Sequence, residues 1–552
     1  MVGGIRKPRR QNWWIRQSWW TRQNWWSRHN WWGRFAGAVV AAVVVGAGLP
    51  AVASGAPQDC ARGDRACRVD RYLQQVRGDP GLLEEFVGDL PKGGDLHHHL
   101  TGAASTESLI RYAAADGRCI DTRTLTASPG PCGQGQRPAR DAVTDRGFRE
   151  QVLRAWSMHH FDPRGPESGH DHFFATFGRF GAATDGRYGD MLAQSAREAR
   201  RQNETYVEPL FGVRTSQVRQ LAERRGFDPV DEQQFAQLRQ RLLPGLQPIL
   251  RSGRQDTTGY VDRERHLLGC GTAAEDPACD VRMAFDYQVL REQPPGAVFA
   301  SLLAGFETAS RDGRFVGVNM VQPEDGHLSL RDYALHMRMV GYLRKLYPQV
   351  HVTLHAGELV PGLAKPADLR FHVDQAVRVA GADRVGHAVD LQHERDWPRL
   401  ADRMRESGVL VESPLTSNCQ ILRACGPADH PLTTYLEHGV PVALATDDPG
   451  VSRSDLNADY RRAVERFGLH YPQLRASARN ALEHAFLPGR SLWADRGERR
   501  LVSECSADEA GQPAPSARCA EFLRGSPKAD AQWDLERRLL RFERHYAVRG
   551  EV

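Results

Sequence analysis

Eight short apolar runs, each followed by a stretch with helical spacing, constrain this chain more than any other feature. They occupy residues 93–100, 205–212, 281–290, 315–321, 350–358, 383–390, 408–418 and 440–450. Between them lie amphipathic segments such as DYALHMRMVGYLRKLY (332–347), whose apolar residues recur at the helical period. Eight strand and helix alternations predict an α/β chain closed into a parallel (β/α)8 TIM barrel. The expected organisation is a helical N-terminal extension over 54–90 and a barrel over 91–490. Insertions of about 103–170 and 213–280 follow the early strands, and a helical C-terminal extension with a disulfide loop covers 491–552.

In such a barrel, chemistry gathers where the strands end. The first run reads GGDLHHHLTG, and strand alternation turns His97 and His99 to one face and His98 to the other. His355 and Glu358 close the fifth run, His387 the sixth, and Asp447 and Asp448 the eighth. An apolar strand such as VTLHA has no structural reason to end in this way. Together these ends supply three histidines and one aspartate for a metal, with a further histidine and two carboxylates for moving protons.

The first 53 residues read as a leader. They hold eight basic and no acidic residues, so the remainder of the chain is mildly acidic despite a net charge of +5, and nothing favours a nucleic-acid partner. The basic part ends at Arg34, an apolar run follows, and Ala51-Val52-Ala53 offers a cleavage site. This predicts a signal peptide and an exported protein, periplasmic or secreted, with no stable membrane span once the leader is cut. An uncleaved anchor is the alternative. Ahead of the apolar run, four copies of a six-residue Trp-Trp repeat hold eight of the twelve tryptophans, and no function is assigned to them.

Ten cysteines agree with export. They fall into five local couples, Cys60 with Cys67, Cys119 with Cys132, Cys270 with Cys279, Cys419 with Cys425 and Cys505 with Cys519, as expected of short-loop disulfides in an oxidising compartment.

In order along the chain, DLHHHLTGA, TLHAGE, RVGHAVD, SPLTSN and LATDDPGVSR resemble the adenosine deaminase family of the amidohydrolase superfamily, and especially its exported, growth-factor-type members. The likeness spans about residues 88–480. It implies one zinc per chain held by His97, His99, His355 and Asp447, with Glu358 protonating purine N1, His387 orienting the attacking oxygen and helping to move its proton, and Asp448 holding N7. The implied reaction is hydrolytic deamination of adenosine, and of 2′-deoxyadenosine, to inosine and ammonia. His99 and Thr101 would also touch substrate. Thr101 stands where many members carry an aspartate that meets the ribose, and Gln322 where many carry a glycine whose amide meets the purine. These departures keep adenine, a modified nucleoside or a nucleotide open as substrates, and an inactive envelope-associated binding protein as the non-enzymatic alternative. Asp448 has a second reading as a cap on the turn that follows it. His98 is expected to be structural. His159, His160, His170 and His172 are expected to lie on a solvated loop, with a second metal site as the alternative. The inserted segments leave room for a homodimer.

Overall fold

The computed structural model describes residues 60–61, 64–495, 497 and 499–550. The leader, with its repeat and its cleavage site, lies outside them. Eight parallel strands form the barrel wall: β1 (Gly93–His99), β2 (Glu204–Phe211), β3 (Phe285–Leu290), β4 (Phe315–Val321), β5 (His351–Ala356), β6 (Arg384–His387), β7 (Leu410–Ser413) and β8 (Val442–Leu444). Each pairs in parallel with the next. The ring closes just beyond β8, where Asp447 N–H donates to His97 O and His99 N–H donates to Asp447 O, both at 2.8 Å. Backbone of three expected metal ligands therefore joins the first strand to the last.

The strands are buried almost throughout, as expected of parallel strands covered on both faces. Several are shorter than the sequence runs. The seventh run, expected over 408–418, is a strand only as far as Ser413. Pro414 then opens a helix over Leu415–Leu422, because proline pre-sets the helical φ and lacks the N–H a strand ladder needs. The eighth run likewise leaves strand geometry after Leu444.

Between β1 and β2, the chain forms a small antiparallel sheet of Cys119–Asp121, Ala127–Ser128 and Gln136–Pro138, then a helix over Gly169–Thr184. Ser168 caps that helix by accepting the Asp171 N–H. The segment after β2 contains a 37-residue helix, Glu232–Leu268. The helices Arg65–Val76 and Pro527–Arg549, near the two ends of the described chain, pack on each other through Tyr72 and Tyr546, and Phe86 of the helix Pro80–Asp89 packs against Phe542 and Tyr546. All ten cysteines are paired as the five local couples. Among the described residues no helix is long and apolar enough to cross a membrane.

Candidate active site

The ends of β1 and β5 and the turn after β8 bring His97, His99, His355 and Asp447 together, all buried, with one ligand atom of each within 4.8 Å of the others. His355 Nε2 lies 3.0 Å from the Nε2 atoms of both His97 and His99. Asp447 Oδ1 lies 3.4 Å from His97 Nε2 and 3.2 Å from His99 Nε2.

The other ring nitrogens explain the orientation. His97 Nδ1 lies 2.7 Å from Glu412 Oε2 on β7, His99 Nδ1 3.3 Å from Gln288 Oε1 on β3, and His355 Nδ1 2.9 Å from Asn319 Oδ1 on β4. Each partner is an acceptor, so each Nδ1 carries a proton and each Nε2 is turned toward the cluster. Ser417 donates to Asp447 Oδ2 at 2.5 Å. Against burial, which lowers it, the Asp447 and Glu412 carboxylates raise His97 to about 10, so without a cation its Nε2 keeps a proton facing Asp447. Three imidazole nitrogens and a carboxylate oxygen converging on one point are a donor set that suits a tetrahedral metal, which would take that proton's place. The residues fit a metal on that ground.

A cavity of about 300 Å³ opens beside this cluster. Glu358, His387, Asp448, Thr101 and Gln322 line it with three of the four ligands, His99, His355 and Asp447, whereas His97 is not part of its lining. Burial, reinforced by the Asp447 carboxylate, pushes the Glu358 carboxyl up to about 8. Burial and Asp447 also raise Asp448 well above the usual carboxylate range. Its Oδ1 is buried without a hydrogen-bond partner and lies so close to Gly102 that a Cβ there would meet it at 1.6 Å. Glycine at 102 is what lets β1 and the turn after β8 approach. Burial lowers His387, whose Nδ1 is 2.8 Å from the Asn418 side-chain amide.

Three non-glycine residues here occupy left-handed backbone: Gln322 (φ 89°), His387 (φ 65°) and Asp447 (φ 64°). Such conformations cost on the order of 1 kcal/mol each and collect at functional sites. Gln322 thus holds the backbone form that favours glycine, the residue expected there from the family likeness. Its side chain accepts the Glu292 N–H at 2.9 Å, and its carbonyl accepts from Arg291 Nε at 2.8 Å.

His98 points away from the cavity, bonded to Asp95 and Ser195. The four histidines of the insertion do not lie together on a solvated loop. His172 is buried against the carbonyls of Arg154 and Ser157, and His170 bridges Asp171 and Asp325. His159 and His160 gather around Glu150, as a potential metal-binding set well apart in sequence from the barrel ligands. Sequence reasoning also missed the pocket wall made by Phe173, Phe174 and Phe177. Their helical spacing in HDHFFATF was the available signal. The segment over 213–280 contributes nothing to this cavity's lining.

Residues 269–497 match the family model described as adenosine deaminase. This stretch is similar to the adenosine deaminase family. This stretch holds His355, Glu358, His387, Asp447 and Asp448, while the barrel itself delivers His97 and His99 from outside it. Over 154 residues the chain is 40% identical to the adenosine deaminases of Salmonella heidelberg and Salmonella agona, covering 28% of this chain and 41% of each relative. The chain thus spans about two fifths of the length of these curated relatives. Among solved structures it is similar to an adenine deaminase from Arthrobacter aurescens, at TM-score 0.46 and 14% identity over 72% of this chain and 94% of that one. It is also similar to the N6-methyl-AMP deaminase of Arabidopsis thaliana, at TM-score 0.47 and 16% identity over 73% and 94%.

Proposed function

We propose that this chain is a zinc-dependent hydrolase that deaminates adenosine and 2′-deoxyadenosine to inosine and ammonia. The observation that carries this reading is the buried cluster of His97, His99, His355 and Asp447, one ligand atom of each turned to a common point, set beside two carboxyls that burial keeps protonated. A zinc ion held there supplies the Lewis acidity that makes water a usable nucleophile near neutral pH.

The protein's own groups do the rest. Glu358 holds a proton at the pocket floor and delivers it to purine N1, which makes C6 electrophilic. Asp448, its carboxyl kept protonated by burial and Asp447, donates to N7 and places C6 over the attacking oxygen. His387 orients that oxygen. Phe173, Phe174 and Phe177 cover the base with apolar surface and exclude water. The cavity lining contains no lysine or arginine, which favours an uncharged nucleoside over a nucleotide. Five disulfides support export of the enzyme.

The test is the ultraviolet spectrum of adenosine, 2′-deoxyadenosine, adenine, N6-methyladenosine and AMP incubated with the purified protein, beside a Glu358→Gln control. Adenosine and deoxyadenosine should shift to the inosine-type spectrum with wild type only. A shift with AMP or adenine and none with adenosine would retire the nucleoside reading. No shift with any of them would retire the enzyme.

A further inference from the structure

The loop between β7 and β8 holds a buried histidine, His430, that the chemistry above does not use. Its Nδ1 lies 3.1 Å from the backbone N–H of Leu432, a group that can only donate. Nδ1 therefore accepts. Burial pushes the ring down to about 3, so it stays neutral and carries its proton on Nε2. That Nε2–H lies 2.8 Å from one terminus of the Asn418 side-chain amide, and the other terminus lies 2.8 Å from His387 Nδ1.

An N–H cannot usefully face an amide NH2. The network satisfies every group only when the amide turns its oxygen to His430 and its NH2 to His387. The NH2 then occupies the Nδ1 lone pair of His387, which leaves that ring's proton on Nε2. His387 Nε2 is buried with no hydrogen-bond partner among the described residues, and its ring centroid lies 5.1 Å from those of both His97 and His355.

We propose that His430, acting through Asn418, is a positioning residue that fixes the proton of His387 on Nε2, so that His387 meets the reaction centre as a hydrogen-bond donor. Resting His387 then holds the attacking oxygen by donating to it and cannot take a proton from it. This revises the expectation that His387 helps to move that proton. The chemical consequence rests on the deaminase reading, whereas the position of the proton does not.

Asn418→Asp tests both parts. A carboxylate can only accept, so it takes Nε2–H from His430 and draws the His387 proton to Nδ1. In the full chain labelled with 15N-histidine, with His387 assigned by its loss in His387→Gln, wild type should show a protonated Nε2 and a bare Nδ1. Asn418→Asp should show the reverse, with kcat lowered about 100-fold and KM nearly unchanged. His430→Gln, whose amide N–H can replace Nε2–H, should retain more of kcat than His430→Leu at similar thermal stability. A wild-type His387 protonated on Nδ1 would overturn the proposal, and this needs no variant to fold. Wild-type kcat in an Asn418→Asp protein with the reversed ring would overturn the catalytic part. A wild type with no turnover would instead overturn the deaminase reading, while the ring signals still decide where the proton sits.

Discussion

Near the start of β6, Arg384 lies between Glu208, Asp286 and Glu412, while at the strand ends His97, His99, His355 and Asp447 face one another. Both clusters are fully buried inside one barrel. In the first, a guanidinium meets carboxylates, with Asp286 at 3.2 Å, and burial with the neighbouring Glu208 pushes the Asp286 carboxyl well up, so that it sheds its charge. In the second, three imidazole nitrogens and a carboxylate oxygen converge on one point, and only a proton held on His97 by Asp447 and Glu412 offsets them. The first cluster is neutralised by a permanent cation of its own, and the second by a proton that a metal can replace. Glu412 links the two, since it takes Arg384 on one oxygen and His97 on the other.

Perturbing each cluster separately sharpens that contrast. Asp447→Ala or His99→Ala should abolish zinc binding and lower kcat/KM by more than about 10³-fold, because several kcal/mol of transition-state stabilisation are lost. Metal analysis of the same samples checks it. Urea unfolding should show little loss of stability in metal-free protein.

Arg384→Met should behave oppositely. It leaves Glu208 and Glu412 buried without their cation, and unfolding stability should fall by about 3–5 kcal/mol. Equal destabilisation by Asp447→Ala and Arg384→Met would erase the distinction.

Glu412→Gln tests the link, because the amide keeps the shape and loses the charge that orients His97. Zinc affinity should drop about 10–100-fold, read by competition with a chelator.

Glu358 supplies a pH signature. Its raised carboxyl must be protonated to donate, so kcat/KM should fall as pH rises through about 8. A nearby cation favours the charged form, so the fall should begin no later than that. A rate still rising above pH 8 would exclude Glu358 as the acid.

The smallest effect is expected at the pocket wall. Phe177→Ala removes apolar cover and should raise KM about tenfold with kcat little changed.

The strand ends were legible in the sequence because their chemistry is local. H-x-H alternates onto one face, and H-A-G-E and T-D-D stop apolar runs with polar groups. The barrel was legible for the same reason, through repeated period changes. What orients the ligands was not. Gln288, Asn319 and Glu412 come from three other strands, and only closure of the barrel sets them beside the rings. The relay from His430 was hidden likewise, because its direction depends on one backbone N–H. The seventh strand was read too long because its apolar run continues past Pro414 into a helix.

The most direct test of a cation-requiring site is zinc titration of chelated, metal-free protein, following bound metal per chain and adenosine turnover in the same samples. The account predicts saturation at one zinc per chain with turnover rising in proportion, and neither response in His99→Ala. Turnover by the metal-free protein, or unchanged tight zinc binding in His99→Ala, would contradict it.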